Sequence, residues 1–174
     1  MLSKSDIENY FLAYKHEHLF LLLLAAVIFI LALAFNFGVK KHFYKGAAIP
    51  LYSFAVLFCV LGISNFKNAD RLRKICVYDY DLHPEYLKIR ELVRVNSFLL
   101  NANFVFYISL IIAIAALLIF FYFQKKLNVQ YIKGLTVSLF LMGTISAVTF
   151  FVVKEKAKIY KYHIEEFTKN IAIK

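Results

Sequence analysis

The chain has 174 residues, 61% of them apolar and 18% aromatic, with 18% charged and a formal net charge of +10. Soluble domains sit near about 45–50% apolar and about 25% charged, so the composition excludes an ordinary soluble enzyme or binding domain. The cationic excess flanks apolar blocks, where it meets anionic lipid head groups, and no nucleic-acid-binding motif accompanies it.

The first element opens near Ser5-Asp6-Ile7-Glu8, which has the Ser-to-Glu spacing of a capping box. Ile7, Phe11, Tyr14, His18 and Leu21 then follow a heptad stripe. This predicts one helix with an extension over residues 6–18 and a span over residues 19–37 (LFLLLLAAVIFILALAFNF). A hydrocarbon core of about 30 Å needs about 20 residues of helix, and lipid forces the backbone to satisfy its own hydrogen bonds. The polar residues ahead of this block, with no small-residue cleavage site after it, predict a retained helix rather than a signal peptide.

A short basic loop leads into the second span, residues 46–64. Pro50 falls in its first turn, where proline costs little. Phe66, Ala69 and Leu72 predict a helical extension over residues 65–76, followed by a turn at Tyr78-Asp79-Tyr80-Asp81-Leu82-His83-Pro84. Pro84 suits a first helical position, so the chain is expected to return as a helix over residues 84–101, with Ile89, Val93, Asn96 and Leu100 as its inner stripe. The third span covers residues 102–123 and the fourth residues 134–153. The tail, residues 154–170, continues as helix with Val153, Ala157, Tyr160, Ile164, Phe167 and Ile171 on one face. Lys154, Lys156, Lys158, Lys161, Glu165 and Glu166 are assigned to its other faces. Lys40-Lys41 and Lys45-Gly46 before span two are echoed by Lys125-Lys126 and Lys133-Gly134 before span four, a weak internal repeat.

The expected architecture is an all-α integral membrane protein, residues 1–174 as a single membrane domain. Four transmembrane helices form two antiparallel hairpins, extended into a cytoplasmic four-helix bundle. Of the Lys and Arg residues, 15 lie on the side of the termini and the long loop against 6 in the two short loops. The positive-inside rule therefore puts both termini in the cytoplasm of a cell (inner) membrane.

Chemistry is sparse. No phosphate loop, HExxH or nucleophile elbow occurs. The spans hold no Asp, Glu, Lys, Arg or His, and all five His lie at span ends or outside lipid, which excludes a transmembrane haem pair. Cys59 and Cys76 form no CxxC pair, so thiol oxidoreductase chemistry is excluded. No enzyme and no cofactor are expected. Asp79, Asp81, His83 and Glu85 alternate, and in an extended segment they would project to one side as a metal candidate. A capped turn explains the same residues without a metal.

Arg90 and Arg94, ahead of Asn96, Asn101 and Asn103, share a helix face and are expected to pair with Asp70 or Glu91 or to meet lipid phosphate. Arg90, Arg94, Tyr160 and Phe167 are taken as partner or lipid contacts. In span four, Gly143 and Ala147 make a small-xxx-small pair for helix packing. Ser138 and Ser146 are packing or pore-facing hydroxyls. The function these features fit is a non-catalytic multispan protein acting by helix-mediated association with itself or a protein partner. By class-level analogy, bacterial toxin-immunity and defence accessory or effector proteins are of this kind, some as oligomeric pores. The alternative is a small transporter or permease subunit.

Overall fold

The computed structural model describes residues 2–125 and 129–172, with the side chains of residues 171 and 172 outside it. Lys126 of the second lysine pair and the Ile171 side chain therefore lie outside the described residues. Four long helices account for nearly all of the rest: α1 (Lys4–Gly38), α2 (His42–Leu82), α3 (Pro84–Phe123) and α4 (Gln130–Ala172). Each contains a stretch long and apolar enough to cross a membrane.

α1 begins two residues earlier than the Ser5 box implies. Ser3 is the N-cap: its hydroxyl accepts from the Asp6 N–H, and the Asp6 carboxylate accepts from the Ser3 N–H at 2.8 Å and from its hydroxyl at 2.7 Å. The register is decided by burial. With Ser3 as cap, Leu2 and Ile7 occupy the two positions of a hydrophobic staple, and both are buried in one core. A start at Ser5 would put Lys4 and Asn9 there. The α1 stripe Ile7, Phe11, Tyr14, His18 and Leu21 is buried throughout. A π turn over Ala34–Gly38 ends the helix.

α2 starts at His42, so Pro50 lies past its second turn rather than in its first. The helix then runs unbroken to Leu82, and the turn expected from Tyr78 onward is absent. Only His83 leaves helical geometry, with φ −140° and ψ 65°. The steric demand of Pro84 on the residue before it accounts for that placement. The acids at 79 and 81 carry no such demand.

α3 corrects a second expectation. Ile89, Val93 and Leu100 are 63%, 57% and 71% exposed. The inward residues are Leu87, Glu91, Val95 and Ala102. Both sets are spaced by about a helical turn, and a π turn covers Leu87–Glu91 at the start of the inward set. In α4, Ala157, Tyr160, Ile164 and Phe167 are buried as the stripe requires, but so is Lys154, which was assigned to an outer face.

α1 packs along α2, α3 along α4, and α2 against α4. Two apolar clusters result. One joins all four helices near the termini, around Phe11, Cys76, Leu87, Val95, Tyr160 and Ile164. The other joins α1, α2 and α4 at span level, around Ala25, Ile28, Ala55, Phe58 and Met142. A shift of 88 residues (134 minus 46) lays α2 on α4. It superposes Gly46 on Gly134, Ala48 on Thr136, Ala69 on Ala157 and Cys76 on Ile164, and every one of these residues is buried. The lysine-glycine echo in the sequence marks one point of that correspondence.

Candidate functional site

The four-helix core near the termini contains polar groups at its centre. α3 brings Glu91, 4% exposed, into this core, and Arg94 pairs with it through two hydrogen bonds, Nε to Oε2 at 2.8 Å and Nη2 to Oε1 at 2.6 Å. The Arg94 guanidinium lies over the Phe11 ring at 5.3 Å. From α1, Tyr10 stacks on Tyr160 of α4, with centroids 3.8 Å apart and planes 8° from parallel. The Tyr160 hydroxyl is the one buried side-chain polar atom without a hydrogen-bond partner among the described residues. Cys76 enters from α2, 2% exposed.

The electrostatics of this cluster favour uncharged or paired forms. Burial pushes the Cys76 thiol well above its ordinary range, and the Glu91 carboxylate adds to the shift. Burial also raises Tyr10 and Tyr160, and it lifts Tyr14 to about 12, with the Arg94 charge opposing in each case. Arg94 moves upward despite burial, because Glu91 hydrogen-bonds it and faces it as an opposite charge. A protonated, enclosed thiol is not a nucleophile. The cluster therefore has the character of a buried paired-charge network, which fixes helix register in some proteins.

The residues singled out from sequence fall in different places. Arg94 takes Glu91, whereas Arg90 stays exposed with its guanidinium 4.6 Å from the Tyr86 ring centre. Asp70 bonds Lys15 at 2.6 Å and faces Arg73 at 4.0 Å, and neither Arg90 nor Arg94 is its partner. Tyr160 and Phe167 are packed inside the chain's own core. Ser138, Gly143, Ser146 and Ala147 are likewise buried, and the Ser146 hydroxyl meets that of Ser109 at 2.9 Å. Asp79, Asp81 and His83 do not project together: Asp79 is buried, Asp81 bonds Lys4 at 2.6 Å, and His83 faces Glu85 at 3.8 Å. The alternating geometry required an extended segment, and the segment is helical through Leu82. Among the described residues no group of three or more His, Cys, Asp or Glu stands close enough to hold a metal ion.

Two features had no clear signal in the sequence. A cavity of about 600 Å³ lies between α1 and α4, with Leu61 and Asn65 of α2 and Phe98 of α3 also in its wall. The Glu17–Lys156 ion pair bridges α1 and α4 at its edge. A smaller groove of about 290 Å³ lies between α3 and α4. Comparison with protein-family models, with curated proteins and with solved structures finds no match.

Proposed function

We propose that the protein is a non-catalytic, four-span membrane protein that acts by associating with a second copy of itself through α3. In this reading the four helices form two antiparallel hairpins across the bilayer. The terminal ends stand in the cytoplasm as an upright bundle, on the side that carries 15 of the 21 Lys and Arg residues.

One observation carries the association. Ile89 and Val93 are exposed on a part of α3 that precedes the span, by 13 residues (102 minus 89) and 9 residues (102 minus 93), or about 20 Å and about 14 Å of helix. In an upright helix both lie beyond the interfacial layer, which adds about 5–8 Å on each side of the hydrocarbon core. They open a seam that continues through Asn96, Leu100, Phe104, Tyr107, Ile111, Ile114 and Leu118, at spacings of three and four. All of these except the half-buried Asn96 are exposed. An apolar seam with heptad-like spacing is what a coiled-coil contact uses, and one polar residue within it sets register. A two-fold axis along the membrane normal would bring the same seam of two chains together.

Native mass spectrometry of the protein in nanodiscs tests this. The wild type should appear as a dimer, and the Ile89→Glu/Val93→Glu variant as a monomer with unchanged helicity. A monomeric wild type would sink the reading.

The α1–α4 cavity favours a second reading, a small transporter or permease subunit. Its weakness is that these hydroxyls of span four already have partners: Ser146 bonds Ser109 of α3, and Thr144 and Thr149 bond carbonyls of their own helix.

A further inference from the structure

We infer that the groove between α3 and α4 is a binding site for one phospholipid of the leaflet on the side of the termini. Its acyl chain would lie in the groove and its phosphate on Lys154. The inference rests on the membrane-spanning reading and is independent of the α3 seam.

The groove owes its shape to small residues. Gly143 brings the helices together: a Cβ there would lie 3.0 Å from the Ser109 carbonyl oxygen and 3.1 Å from the Ala113 side chain. The Ser109–Ser146 hydrogen bond holds the same level. Beside that contact Ala113 and Ala147 form a floor, with Phe106, Leu110, Val148 and Phe151 as larger walls. The remaining lining residue, Thr144, spends its hydroxyl on the Phe140 carbonyl at 2.8 Å. The groove thus offers a ligand only apolar surface.

At its end the chemistry changes. Lys154 is 7% exposed, and its ammonium lies 4.6 Å from the Phe106 ring centre and 5.3 Å from that of Phe151, the two aromatic walls. Among the described residues no carboxylate pairs with it, whereas Lys156 and Lys158 on the next turn have Glu17 and Glu155. The side chain is buried but its unpaired ammonium is not sealed off, and held over aromatic faces it retains its full complement of hydrogen-bond donors for an anion.

Length selects the occupant. From Thr144 to Lys154 is 10 residues, about 15 Å of helix. That is half of a hydrocarbon core of about 30 Å, the depth of one leaflet. A chain anchored at Lys154 would end where its leaflet ends.

The test is native mass spectrometry of the full chain carried in mixed phosphatidylglycerol and phosphatidylcholine, reading lipid retained per protein. The wild type should keep one phosphatidylglycerol in preference to phosphatidylcholine. Lys154→Gln should lose about fivefold of that retention, and Lys154→Arg should restore it. Ala147→Leu, which fills the groove and leaves the charge, should lose it as well. Equal retention by wild type and Lys154→Gln would overturn the site. So would an equal loss in Lys158→Gln, since that would mean that general surface charge holds the lipid.

Discussion

Gly46 and Gly134 hold reciprocal positions. A Cβ on Gly46 would overlap the Tyr131 carbonyl oxygen, and a Cβ on Gly134 would overlap the Phe43 carbonyl oxygen. Each of those carbonyls lies three residues before the opposite glycine. The hydrogen that replaces the Cβ in each glycine points at the facing oxygen, the geometry of a Cα–H···O contact between helices. α2 and α4 therefore meet backbone to backbone where they begin, and the 88-residue correspondence is a correspondence of contacts as well as of burial.

Gly46→Ala follows from that geometry. The new methyl has only backbone to displace, so the two helices must part. Overpacking of this kind costs about 1–3 kcal/mol. Thermal unfolding in detergent should show a lower Tm for Gly46→Ala and for Gly134→Ala. The double variant should fall by less than the two losses combined, because either methyl alone already opens the shared contact. Fully additive losses would mean that the glycines act separately.

The Glu91–Arg94 pair yields a second expectation. Removing one member leaves a buried charge without its partner, at about 3–5 kcal/mol. Glu91→Gln should thus lower Tm more than the double variant Glu91→Leu/Arg94→Met, which removes both charges and keeps the volume. If the double variant were the less stable of the two, the pair would be contributing net stability beyond its desolvation cost.

What could be read in the sequence follows from where each signal resides. The stripes of α1 and of the end of α4 were legible because each repeats at spacings of three and four, while the apolar residues off it, such as Leu12, Ile159 and Tyr162, form no competing stripe. α3 has Leu87 and Val95 on one face and Ile89 and Val93 on the other, so spacing alone permits two registers. The continuation of α2 through Asp79 and Asp81 was missed because acids in a row resemble a turn, yet only Pro84 restricts the backbone. The polar core was invisible for a different reason. Cys76, Glu91 and Tyr160 are far apart in the chain, and only the packing of α2, α3 and α4 makes them neighbours. Lys154 looked like one more cation after a span, and its burial depends on Phe106 in another helix.

The two cysteines should label differently. Cys76 is 2% exposed and its thiol is held protonated by burial and by Glu91. Maleimide modification of Cys59→Ser protein at neutral pH should proceed only as fast as the terminal bundle opens, and should accelerate sharply in denaturant. Mass spectrometry of the time course reads it. Labelling in native buffer at the rate of a free thiol would mean that the four-helix core near the termini is open.

The buried tyrosines predict alkaline instability. Tyr10, Tyr14 and Tyr160 all ionise above their ordinary value of 10.0 when folded, chiefly through burial. Above pH 10 the unfolded chain has given up phenolic protons that the folded chain still holds, so unfolding releases protons and stability falls as pH rises. Below that pH the contribution is fully present. Tm should stay level up to about pH 10 and drop beyond it, with tyrosinate absorbance appearing at the unfolding transition. Tyr160→Phe isolates one member. Its hydroxyl has no partner, so removing it relieves a desolvation cost of about 1–3 kcal/mol. The variant should melt at or above the wild-type temperature at neutral pH and show a shallower alkaline decline. A marked loss of stability at neutral pH would mean that the hydroxyl is satisfied in solution, for instance by a bound water.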